Sequence, residues 1–149
     1  MSRAGCLVVL ACSLSAVAAA QEPKETLAPG MWRITVQSQV PGMPIAMAPV
    51  EVDQCLSAKD AKDPSKLLGS VSSPDASNCV YSEKGYEGAS FHFTMQCGGA
   101  MGLRATGHIA FTASSLNGTI DATASFNGQA VALSNAVTAQ RVGDCHTPG

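Results

Sequence analysis

A two-residue alternation of apolar and polar side chains runs through most of this sequence and limits its fold more than any other feature. In residues 31–40, Trp32, Ile34, Val36 and Val40 fall on one side, and Arg33, Thr35, Gln37 and Gln39 on the other. Period two with β-branched and aromatic residues specifies a half-buried strand. The pattern recurs downstream. Val50 and Val52 mark an inner face in residues 50–56, and Phe91, Phe93, Met95 and Cys97 share another. Leu103, Ala105, Gly107, Ile109 and Phe111 lie opposite Arg104, Thr106, His108 and Thr112. Gly118, Ile120, Ala122, Ala124 and Phe126 alternate with Thr119, Asp121, Thr123 and Ser125. Pro29-Gly30, Pro41-Gly42, residues 85–88 (GYEG), Asn117-Gly118 and Asn127-Gly128 read as the turns between these runs, and a last strand is expected over residues 129–142.

One stretch departs from the period. Residues 57–68 are the helical candidate: Ser57-Ala58-Lys59-Asp60 resembles a capping box, and Pro64 limits the helix to a turn or two. Residues 69–77 read as a surface loop. The expected fold is all-β, an antiparallel meander of about seven strands forming a small barrel or sandwich with one short helical segment. Its inner face is rich in Ala and Gly. Either the strands pack very close or the inside admits something apolar, and the density of protein interiors favours the first.

Residues 1–20 read as a secretory signal peptide, with Arg3 ahead of an apolar stretch and Ala18-Ala19-Ala20 as the small-residue cleavage site. Cleavage is expected between Ala20 and Gln21. The apolar stretch falls short of the ~20 residues that a membrane span needs, and later segments are broken by polar residues, so no transmembrane segment is expected. Cys12 follows Val9-Leu10-Ala11, a loose likeness to a lipoprotein cleavage motif, but the apolar run continues past it to the better site. Residues 21–28 read as a flexible leader, 29–145 as a single β domain and 146–149 as a frayed tail.

Beyond the leader stand Cys55, Cys79, Cys97 and Cys145. An even number in an exported chain implies disulfides, and the absence of a CxxC pair argues against a zinc knuckle or a thioredoxin-like motif. Cys79 and Cys97 bracket one predicted hairpin, which favours 79–97 with 55–145 over 55–79 with 97–145. A strict meander places Cys145 at the opposite end from Cys55, which counts against the second bond of the favoured pair. Nine Lys and Arg against eleven Asp and Glu give a formal net charge of −2, and the cations are scattered. Nucleic-acid binding needs clustered positive charge and is disfavoured.

The chain resembles a bacterial family of exported proteins catalogued as domain of unknown function 3617. The likeness rests on Pro29 to Val36 (PGMWRITV), Val40-Pro41-Gly42-Met43-Pro44, Gln54-Cys55-Leu56-Ser57, the single Cys79 and Cys97, and the closing Gln140 to Cys145 (QRVGDC). It implies a periplasmic or envelope location, and four cysteines that map onto Cys55, Cys79, Cys97 and Cys145. It implies no activity. Gly30-x-Trp32 also resembles the lipocalin opening, which implies a ligand-binding barrel.

Candidate chemistry is sparse. His92 and His108 fall on the polar face, and His146 lies in the tail. Asp121 can approach His108 or Arg104 across a hairpin, but no GxSxG occurs and paired cysteines offer no thiol, so a catalytic role is not expected. Glu51 and Asp53 read as a solvated strand face. Met43 and Met47 place two thioethers in one loop, a soft-ligand set suited to Cu(I), while Met95 reads as core and Met101 adds a further sulfur. No resident cofactor is expected. The leading expectation is a non-catalytic domain that binds a small apolar ligand or an envelope protein. The alternatives are copper handling through Met43 and Met47, or a structural protein with no ligand.

Overall fold

The structure is a computed structural model that describes residues 23–44, 47–68, 77–99 and 102–146. The leader with Ala20 and Gln21, Cys12 and Met101 lie outside them. Seven strands follow in chain order: β1 (Gly30–Gln39), β2 (Val50–Leu56), β3 (Ser77–Glu87), β4 (Ser90–Gly98), β5 (Arg104–Phe111), β6 (Ser115–Phe126) and β7 (Gln129–Gly143). They form one antiparallel sheet in the order β2-β1-β7-β6-β5-β4-β3. The all-β expectation holds, as one sheet in place of a two-sheet sandwich. Strands β3 to β7 run as a meander. The β1–β2 hairpin then joins through β1, which pairs with β7 from Met31 opposite Gly143 to Gln39 opposite Ser134.

That insertion resolves the cysteine problem. With β1 between β2 and β7, Met31 sits opposite both Cys55 and Gly143, so the ends of β2 and β7 meet across a single strand. Cys55 bonds to Cys145 with Cα atoms 5.4 Å apart, and Cys79 bonds to Cys97. The pairs favoured by hairpin geometry form, and the objection from a strict meander falls with the meander itself.

Every strand sends residues into one core: Trp32 and Ile34, Leu56, Tyr86, Phe91 and Phe93, Ile109 and Phe111, Leu116, and Val137 and Ala139. A short helical segment, with a 3-10 turn at Asp60–Lys62 and α1 at Ser65–Leu68, adds Ala61, Leu67 and Leu68. It touches both sides of the sheet. Ala61 accepts from the Leu27 amide ahead of β1, while Asp63 takes Lys84 and Tyr86 of β3. The sheet therefore curls around its core, and this segment covers the end where β2 stops and β1 starts. The Ser57 hydroxyl accepts from the Asp60 amide at 3.1 Å, but the residue at the N-cap of the 3-10 turn is Lys59, which makes no side-chain cap.

The small inner residues mark close packing. A Cβ on Gly107 would come within 2.3 Å of the Phe93 ring, and one on Gly118 within 2.2 Å of the His108 carbonyl. Their missing side chains are places already filled by neighbours, so the denser of the two readings holds there. Gly118 also corrects the turn assignment. Asn117-Gly118 lies inside β6, paired with Ala110 and Ile109. The turn falls earlier, at Thr112–Ser115, where the Thr112 hydroxyl accepts from the amides of Ser114 and Ser115. Likewise Gly85 and Tyr86 belong to β3, which leaves Gly88-Ala89 as the turn. Asn127-Gly128 is a true turn, with φ of 50° and 78°.

Candidate functional site

On β1 burial fades toward the end opposite the helical segment. On β5 the polar residues Arg104, Thr106 and His108 are exposed while Ala105, Gly107 and Ile109 are buried. Register carries this outer face across the next strands: Arg104 stands opposite Thr123, Thr106 opposite Asp121, and Asp121 opposite Ser134 of β7. Because β1 ends opposite Ser134, the chain leaving it passes beside these residues. A turn then reverses it. The Met43 amide donates to the Val40 carbonyl at 3.1 Å, Pro41 sets the first central φ, and Gly42 supplies the positive φ of 83° that the second requires. Gln37 reaches from the outer side of β1 to the Met47 carbonyl and holds the loop's far end.

Two adjoining hollows result. One, of about 310 Å³, lies over Arg104, Thr106, Asp121, Thr123 and Ser134 with Pro41 as its wall. The other, of about 430 Å³, is formed by the chain from Gln39 to Pro44 together with Ser134. Pro41 and Ser134 belong to both, so the two make one groove. Met43 and Met47, 58% and 49% exposed, stand on its loop, and Val50 is exposed just beyond. Within the groove the Ser134 hydroxyl donates to Asp121 at 2.7 Å. Arg33 is bound bidentately by Asp53, and Arg141 by Asp144 and the Pro29 carbonyl. Arg104 makes no such contact with a described residue.

The other candidates separate. His92 and His108 are cross-strand partners on the outer face with ring centroids 6.3 Å apart, and His146 is exposed. His92 lies over Gly85, where a Cβ would come within 2.5 Å of its ring, so it covers a gap in β3. Asp121 pairs in register with Thr106, one polar position away from His108, and both are exposed. The buried cleft that a His108–Asp121 pair would require is not formed. Glu51 and Asp53 are exposed on β2, with Asp53 paired to Arg33. Hydrogen bonding to Arg33 holds the Asp53 carboxyl below its ordinary range and Arg33 above its own. Among the described residues no group of three His, Cys, Asp or Glu side chains is placed to hold a metal ion. Met95 packs against the core as expected.

One polar cluster was not foreseen. Asp63 accepts from the Ser65 hydroxyl at 2.6 Å, from Tyr86 Oη, and from Lys84 Nζ at 2.9 Å, while Lys84 Nζ also lies 3.2 Å from Ser65 Oγ. Lys84 sits 5.5 Å and 5.6 Å from the ring centroids of Tyr81 and Tyr86. Burial pulls the Asp63 carboxyl upward, but hydrogen bonds from Ser65, Tyr86 and Lys84 outweigh it and hold it down at about 2. Burial and the Asp63 charge push Tyr86 upward. Serine, lysine and tyrosine together resemble a hydrolase constellation, yet the serine proton points at Asp63 and the lysine is ion-paired. A serine nucleophile needs a base that can take its proton. The cluster is a clasp between the helical segment and β3. The helical-segment and β3 members are 19 to 23 residues apart in sequence, so no local pattern brings them together.

A family model described as a protein of unknown function (DUF3617) matches residues 27–145. No curated protein and no solved structure matches the chain.

Proposed function

This chain belongs to the DUF3617 family, and since that membership carries no activity we propose from the groove that it is an exported, non-catalytic domain that binds a small ligand. The carrying observation is the groove itself, built from the outer faces of β5, β6 and β7 and walled by the Pro41 turn. Its hollows fall near the lower end of the ~300–1,000 Å³ of small-molecule sites, and they bring Arg104, Asp121 and Ser134 together beside Pro41. The signal-like leader, the two disulfides and the absence of a membrane-crossing helix among the described residues are compatible with a periplasmic setting. The clasped Ser65 and the solvent-facing histidines support the non-catalytic reading.

Soft-metal handling is the second reading, favoured by the exposure of Met43 and Met47 on one loop. Native mass spectrometry tests both on protein exported to a bacterial periplasm and purified without reductant. The expected chain starts at Gln21 and weighs about four hydrogens less than its reduced form, as two disulfides require. Organic mass released on denaturation, with amide shifts confined to the groove when it is added back, supports the ligand reading. A Cu(I) adduct that disappears in Met43→Leu/Met47→Leu supports the metal reading instead. A bare chain whose groove amides respond to no member of a small-molecule library overturns both.

A further inference from the structure

We propose that the groove takes a small monocarboxylate with an apolar body, anchored on Arg104; this rests on the groove being a binding site. The first argument is charge. Arg33 and Arg141 each hold a carboxylate of their own chain, whereas Arg104 is an exposed guanidinium with no carboxylate among the described residues. A guanidinium presents a planar fork of donors that matches one carboxylate with two parallel hydrogen bonds.

The second argument is spacing. Asp121 is the nearby acid on the same face, but Arg104 stands opposite Thr123 and Thr106 opposite Asp121. The two residues are diagonal neighbours, with Cα atoms roughly 7–8 Å apart by sheet geometry, and no ion pair joins them. Ser134 further occupies Asp121 by donating to Oδ1 at 2.7 Å. The hollow spans both, with Thr106 and Thr123 also in its lining.

The third argument selects the ligand. One cation beside one carboxylate accepts a single negative charge and repels a second, which disfavours a phosphate dianion. The rest of that hollow's lining is apolar, Pro41, Ala122, Ala132 and Leu133, and Val40, Pro41 and Met43 continue it in the adjoining hollow beside Gln39. A carboxylate head on Arg104 directs its apolar body along Pro41 toward Met43.

Isothermal titration of the oxidised protein with decanoate, methyl decanoate and decyl phosphate reads each part. Decanoate is expected to bind at least ten-fold more tightly than its neutral ester. Arg104→Gln is expected to remove that preference and leave ester binding within two-fold, and Arg104→Lys to restore part of it. Arg104 is exposed, so an unchanged melting temperature is expected in both variants. Asp121→Asn is expected to strengthen decyl phosphate binding. Acid and ester binding equally to a responsive groove overturns the Arg104 anchor and leaves the groove reading standing. Decyl phosphate binding more tightly than decanoate overturns the monocarboxylate assignment. No binding of any of the three, while groove amides respond to other library compounds, overturns the ligand class alone. No response to any compound overturns the groove reading with it.

Discussion

Gly30 and Trp32 show how little freedom the start of the domain has. Gly30 holds φ at 142°, and a Cβ there would lie 2.4 Å from the Gly143 carbonyl and 2.7 Å from Arg141 Nε. Its bareness lets the first and last strands close against each other. Gly30→Ala is expected to lower stability by about 2–4 kcal/mol in urea titration, from strain and overpacking together. Trp32 is fully buried, and its indole donates to the Ala28 carbonyl at 3.0 Å. That is the polar handle a buried tryptophan needs, and it pins the chain just before the turn. Asp63 ties stability to pH. Its carboxyl is held at about 2 in the folded protein, below its value of 3.8 in a free chain. The stability it contributes is present above pH 4 and is lost as pH falls toward 2. About 1–2 kcal/mol is at stake after discounting for its partial exposure. Urea midpoints at pH 5 and pH 2.5 should therefore converge for Asp63→Asn more than for the wild type.

Among the elements, the two disulfides do unequal work. Cys55–Cys145 closes 90 residues of chain and Cys79–Cys97 only 18. Loop-closure entropy predicts a loss of about 4–5 kcal/mol for Cys55→Ser/Cys145→Ser against about 3 kcal/mol for Cys79→Ser/Cys97→Ser, read from denaturant midpoints. The strands themselves were legible because alternation is a local signal. Each residue of β5 falls on the face its period assigns, from exposed Arg104 to buried Phe111. Asn117-Gly118 misled because its glycine serves packing under Ile109 and not a positive φ. The pairing of β1 with β7 was not legible at all, since nothing local reports on a partner a hundred residues away. The groove was hidden for a related reason. Arg104, Asp121 and Ser134 are ordinary polar positions on three separate strands, and only register makes them neighbours.

At the scale of the molecule, the sheet of described strands ends in two edges, β2 and β3. Each carries outward acids: Glu51 and Asp53 on β2, and Glu83 and Glu87 on β3. Pairing either edge with its copy sets like charges side by side, a protection against edge-to-edge association. Glu51→Thr/Glu87→Thr is expected to shift sedimentation toward larger species than the wild type at equal concentration. The place of β1 carries one more consequence, and it concerns time. The ladder to β7 joins Met31 to Gly143, so β1, first of the described strands in chain order, meets its second neighbour only when β7 has emerged. Until then β1 has β2 alone, and an isolated hairpin is marginal in water. Such long-range closure slows folding. Closure of the sheet through β1 thus waits for the last strand, and any cut that removes β7 leaves the β1–β2 hairpin with nothing to join.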